Sequence, residues 1–116
     1  GMNPVSVIRE LKDAIYHVHA KDVKIDPINT AINGVLDTRH YSDEINRSWI
    51  FRTIGYGNNE TYWKDIFSAL RMVGYNGAVS IEHEDSLVNR FEGLEKAVKI
   101  IKDALIFEEK TEMWWA

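Results

Sequence analysis

Two short stretches hold side chains able to bind a metal or move a proton: Tyr16-His17-Val18-His19-Ala20-Lys21-Asp22 and Ser80-Ile81-Glu82-His83-Glu84-Asp85. A neutral imidazole nitrogen and a carboxylate oxygen together suit a borderline or hard divalent ion such as Zn, Mn or Co. His19 and Glu82 are the residues expected to supply them. An ion held there could polarise a carbonyl or hydroxyl and stabilise an enediolate-like anion. The plainer alternative is a His-x-His that is structural or solvated at a strand end.

His17 shares the face of His19 by the two-residue period of a strand. It either orients a ligand or substrate or is a satisfied interior histidine. Asp22 either fixes the tautomer of a ligand histidine or caps the following loop. Lys21 either neutralises substrate or carboxylate charge or is a surface lysine. Glu84 shares the face of Glu82, and two carboxylates so close should raise one pKa and could make a general acid or base. Otherwise Glu84 and Asp85 are solvent-facing loop residues. His83 should point away from Glu82 and is left out of the site. Arg47 and Arg52 flank an aromatic run, and Arg52 is the expected contact to an anionic or polyol substrate. Gly55-x-Gly57 is too short for a phosphate loop and reads as a tight turn.

These residues need elements to hold them. Asn3-Pro4 opens a helix as N-cap and first-turn proline, with Val7, Ile8 and Leu11 as its apolar stripe and an end near Asp13. Ile15 to Ala20 reads as a strand. Lys24 to Ser48 reads as a long polar connection rich in turn residues, and such connections are usually functional or partly disordered. Trp49 to Ile54 is a weak strand candidate. Glu60 to Val73 has the helical spacing of Trp63, Ile66, Phe67 and Leu70, and Gly74 closes it. Ala78 to Glu82 reads as a strand, and Gly93 precedes a last helix from Leu94 to Leu105. Helix and strand alternate with connections too long for hairpins, which predicts a parallel sheet. In such α/β folds function sits at the carboxyl ends of the strands, where both stretches end.

Composition narrows the function classes. Apolar residues make up 45% and aromatics 11% of the chain, enough for a core within one domain. The net charge is −4 and the basic residues are scattered, which argues against nucleic acid as a partner. Without cysteine, disulfides and thiolate metal sites are excluded. No apolar run approaches the roughly 20 residues of a membrane span, so no membrane partner is expected. With no signal peptide in view, a cytoplasmic setting is the default. Residues 1–2 read as a tag-cleavage remnant, Gly1, followed by a start methionine, Met2. Residues 3–107 read as the folded part and 108–116 as a tail.

The order of Ile15-Tyr16-His17-Val18-His19-Ala20-Lys21-Asp22, Phe51-Arg52-Thr53-Ile54-Gly55-Tyr56-Gly57, Gly74-Tyr75-Asn76-Gly77 and Ser80-Ile81-Glu82-His83-Glu84-Asp85 resembles the carboxyl-terminal part of the xylose isomerase-like TIM-barrel superfamily. Its sugar phosphate isomerase/epimerase branch is the nearest in pattern. The resemblance runs over nearly the whole chain, including the Met113-Trp114-Trp115 tail. It implies an α/β fold forming a partial (β/α) TIM barrel, roughly strands six to eight with their helices, and parallel strands. It implies His19 and Glu82 as metal ligands and Glu82 as one of two carboxylates that exchange a proton. The reaction implied is aldose–ketose isomerisation or epimerisation of a sugar or sugar phosphate through a metal-stabilised enediolate. The divalent metal would be Mn, Zn, Co or Mg, and Arg52 matches a substrate contact by position. The stretch Ser48-Trp49-Ile50-Phe51 lacks the Asp-x-His of the related endonuclease-IV branch, which argues against a three-metal phosphodiesterase.

Barrel strands one to five and the ligands they carry have no counterpart in the sequence. Catalytic sites typically use three protein ligands plus water, so the chain carries part of a site. Exposed barrel edges pair with other chains, and the expectation is a homodimer or higher oligomer. Two non-enzymatic alternatives stand beside the enzyme. One is a truncated barrel fragment stable only as an oligomer, with no metal. The other is a sugar-binding module.

Overall fold

The structure is a computed structural model and describes residues 2–116; the reading of Gly1 as a tag remnant lies outside the described residues. Helix α1 spans Pro4–Leu11 and continues into a 3-10 turn at Lys12–Ala14. The Asn3 side chain accepts from the N–H groups of Val5 and Ser6, the capping expected of an Asn-Pro start. Strand β1 follows at Val18–Ala20 and β2 at Asp22–Ile25. Helix α2 spans Pro27–Asn33, β3 spans Trp49–Arg52 and α3 spans Glu60–Met72. Strand β4 spans Val79–Ile81 and α4 spans Arg90–Ala104.

The result is a mixed α/β unit with two small sheets. β1 and β4 pair in parallel, with Val18 opposite Val79, His19 opposite Ser80 and Ala20 opposite Ile81. A bond from Glu82 N to Ala20 O extends that ladder. Val18, Ala20, Val79 and Ile81 face one way by strand alternation, and all four belong to the core or pack on it. The rest of that core comes from Ile54 after β3, Trp63, Ile66, Phe67 and Leu70 of α3, and Ala97, Ile101 and Ala104 of α4. Helix α1 adds Ile8. Helices therefore cover one face of the parallel pair, and the other face carries the polar residues.

The expectation of parallel strands throughout needs correcting. β2 and β3 pair antiparallel, from Asp22 opposite Arg52 to Ile25 opposite Trp49. The chain reverses through α2 and the loop after it, so these strands form a long hairpin beside the parallel pair. Nor is the connection from Lys24 to Ser48 without secondary structure. Asp26 caps α2 by accepting from the N–H groups of Ile28 and Asn29, and Gly34 ends it at φ 70°. The loop that follows is tied down: Asp37 accepts from the N–H groups of Ser48 and Arg39. These bonds hold the Asp37 carboxyl at about 2, with partial desolvation pulling weakly the other way. The last helix begins at Arg90, capped by Asn89, and Gly93 lies inside it. A β-carbon on Gly93 would overlap the His83 ring, so that glycine makes room for the histidine.

Candidate functional site

The bare face of the parallel pair gathers the expected residues. His17 Nε2 lies 2.9 Å from Ser80 Oγ, and the His17 and His19 rings meet edge to face with centroids 4.8 Å apart. His19 Nδ1 lies 3.3 Å from Glu82 Oε2. Lys21 Nζ donates to Glu82 Oε1 at 2.9 Å and pairs with Glu84 Oε2 at 2.9 Å. This convergence follows from register alone. His19 stands opposite Ser80, so the odd positions of β1 and the even positions around β4 share one side.

Lys21 sets the electrostatics. Its ammonium loses some hydration, which pulls its pKa down, but the hydrogen bonds it donates to Glu84 and Glu82 outweigh that and raise it. The same ammonium holds the Glu82 carboxyl below its usual range, with a smaller contribution from His19. The expectation that crowding with Glu84 would raise a pKa is therefore corrected at Glu82. A cation between the two carboxylates replaces their repulsion with attraction. Phe51 completes the seat of Lys21, with its ring centre 4.0 Å from the ammonium.

Asp22 is placed elsewhere. Its buried carboxylate accepts from the N–H groups of Gly55, Gly57 and Asn58 and from the Asn58 side chain. It therefore clamps the Gly55–Asn58 turn and makes no bond to His17 or His19, so the idea that it fixes a histidine tautomer is corrected. Gly57 has no room for a side chain, because a β-carbon would lie 2.6 Å from both Asp22 Oδ1 and the Val23 carbonyl oxygen.

Arg52 is paired, its Nε donating to Asp85 Oδ2 at 3.2 Å. Asp85 is not the solvent-facing residue expected but is 6% exposed. It also accepts from the N–H groups of Thr53 and Leu87. Desolvation pushes its pKa up, but these N–H bonds and Arg52 pull harder and the net shift is down. Asp85 and Ser80 are the residues the sequence reading missed. Strand alternation could have flagged Ser80, whereas the burial of Asp85 depends on contacts far along the chain. His83 stays off this face, with Nε2 3.3 Å from the Val88 carbonyl.

As metal donors, His19 and Glu82 have suitable spacing. Bonds of roughly 2.0–2.1 Å in a tetrahedral site set neighbouring donors about 3.3–3.4 Å apart. The 3.3 Å between His19 Nδ1 and Glu82 Oε2 matches one such edge, and Lys21 occupies the other carboxylate oxygen. Among the described residues, no group of three or more His, Cys, Asp or Glu side chains is placed to hold a metal ion. Among the described residues, no helix is long and apolar enough to cross a membrane.

No protein-family model matches the chain. Over 105 residues, 90% of its length, it is 39% identical to the uncharacterized protein YfiH of Bacillus subtilis (strain 168), and that match covers 34% of YfiH. The chain thus spans about a third of the length of this curated relative.

Proposed function

We propose that this chain supplies one wall of a metal-dependent sugar or sugar phosphate isomerase/epimerase site, built on part of a (β/α) barrel of the xylose isomerase-like kind. The observation that carries the reading is the convergence of His19, Glu82 and Lys21 on the open face of a parallel strand pair, with His17 and Glu84 beside them. Parallel sheets are ordinarily covered on both faces. Here helices cover one, and the face left open is lined with ionisable groups rather than apolar ones, as a barrel interior with a site would be.

His19 Nδ1 and Glu82 Oε2 would hold a divalent ion, which when bound would polarise a substrate carbonyl or hydroxyl. Lys21 keeps Glu82 ionised, as a metal-facing carboxylate must be. It also fixes the rotamer of Glu82 through Oε1. His17, braced by Ser80, would orient the neighbouring imidazole or a substrate hydroxyl. Two protein donors are fewer than the three typical of catalytic sites. The remaining donors and the missing cover are proposed to come from a second copy in a homodimer or higher oligomer.

Calorimetric titration of metal-free protein with Mn and Zn tests this reading. Saturable micromolar binding that both His19→Ala and Glu82→Ala abolish supports it. Binding indifferent to both substitutions, or no binding, refutes it and leaves a non-catalytic barrel piece.

A further inference from the structure

A pocket of about 280 Å³, lined by Tyr41, Glu44, Ile50, Phe51, Glu84 and Ser86, lies beside the His19–Glu82 face. Glu84 belongs to both, because its Oε2 is 2.9 Å from the Lys21 ammonium that also grips Glu82. Phe51 is a second link, with the same ammonium over its ring. The walls are of two kinds. Ile50 and the rings of Tyr41 and Phe51, stacked 5.6 Å apart, offer apolar surface to the C–H groups of a small molecule. Glu44, Glu84 and the Ser86 hydroxyl, itself bonded to Glu44, offer oxygen acceptors.

The charge balance decides what such a pocket can take. None of its lining side chains is cationic. Each nearby cation already holds partners, although Arg47 Nη2 is buried without one. Lys21 is shared by Glu82 and Glu84, and Arg52 is paired with Asp85. Arg47, 2% exposed, lies against the Tyr41 and Trp49 rings and donates to the Arg39 and Trp49 carbonyls. Phosphate recognition needs free Arg or Lys donors or exposed N–H groups. Here a phosphate dianion would meet two carboxylates instead.

We propose that this pocket holds the hydroxyl-rich end of the substrate, and that the site takes an uncharged, unphosphorylated sugar. Its hydroxyls donate to Glu44, Glu84 and Ser86, while its C–H face rests on Ile50, Tyr41 and Phe51. The proposal rests on the sugar-site reading above and narrows it to one substrate class.

The test is a pair of NMR titrations of the chain, with D-fructose and with D-fructose 6-phosphate, at matched ionic strength. Fructose is expected to move the Tyr41, Phe51 and Ser86 signals saturably at millimolar concentration. Repulsion from two carboxylates should weaken the phosphate ester by at least about tenfold. Added salt should narrow that ratio, and so should the double variant Glu44→Gln with Glu84→Gln. Equal or tighter binding of the phosphate ester would overturn the substrate class and leave the sugar reading standing. A ratio unmoved by salt and by the double variant would remove its electrostatic basis. Silence of these signals toward both sugars would overturn the proposal together with the reading it rests on.

Discussion

Replacing Asp22 by alanine should be among the most damaging changes the chain can suffer, although Asp22 makes no bond to the histidines. Its carboxylate is 1% exposed and accepts from the backbone N–H groups of Gly55, Gly57 and Asn58 and from Asn58 Nδ2. Alanine would leave those donors facing a void. A buried donor left unpaired costs about 1–3 kcal/mol, but the turn can relax and admit water to some of them. A net loss of about 3–5 kcal/mol follows, at the upper end of single substitutions. A chain of this size typically has ~6–17 kcal/mol of stability in all. With a urea slope of ~2 kcal/mol per molar, the unfolding midpoint should fall by roughly 2 M. Asp22→Asn keeps one acceptor oxygen and should lose about half as much. Urea unfolding of the three proteins, followed by circular dichroism, reads this directly. An alanine variant within about 1 kcal/mol of the parent would refute the clamp.

Gly57→Ala should cost about 2 kcal/mol or more, since its β-carbon would lie 2.6 Å from the Val23 carbonyl oxygen; the same urea assay checks it. Lys21→Met should raise the Glu82 pKa toward its ordinary range, because the Lys21 hydrogen bond is the largest cause of its depression; carboxyl carbon NMR against pH measures this, and an unmoved Glu82 would contradict the assignment. Asp37 titrates at about 2 instead of 3.8. Because its folded pKa is depressed, its stabilising contribution is complete above about 4 and is lost as pH falls toward 2. Asp37→Asn should therefore flatten acid unfolding in that window, and a profile as steep as the parent's would count against the Ser48 and Arg39 bonds.

What could be read from the sequence was local. The two-residue period of a strand placed His17, His19 and Lys21 on one side and Glu82 with Glu84 on another, and pairing of β1 with β4 brought the two sets together. The stripe of Trp63, Ile66, Phe67 and Leu70 gave α3 to within a residue, because amphipathic spacing and a closing glycine lie within the helix and its cap. What escaped depended on distant partners. Asp85 is buried through Arg52 and Thr53, 33 and 32 positions away, and nothing in its neighbourhood reports that. Asp22 looked like a helper of nearby histidines, yet its partners lie at positions 55, 57 and 58. The antiparallel pairing of β2 with β3 needed the chain to turn back through α2. The Asp26-Pro27 pair marks the start of that helix, but the turn residues around it fit a loop equally well.

Locating a bound metal ion tests the proposed His19–Glu82 site most directly. Substoichiometric Mn added to isotope-labelled protein broadens NMR signals steeply with proximity. Broadening is expected to centre on His19 and Glu82, to reach His17 and Ser80 and to be lost in Glu82→Ala. Broadening centred instead on exposed acids of the tail, such as Glu108, Glu109 and Glu112, or left unchanged by Glu82→Ala, would contradict it.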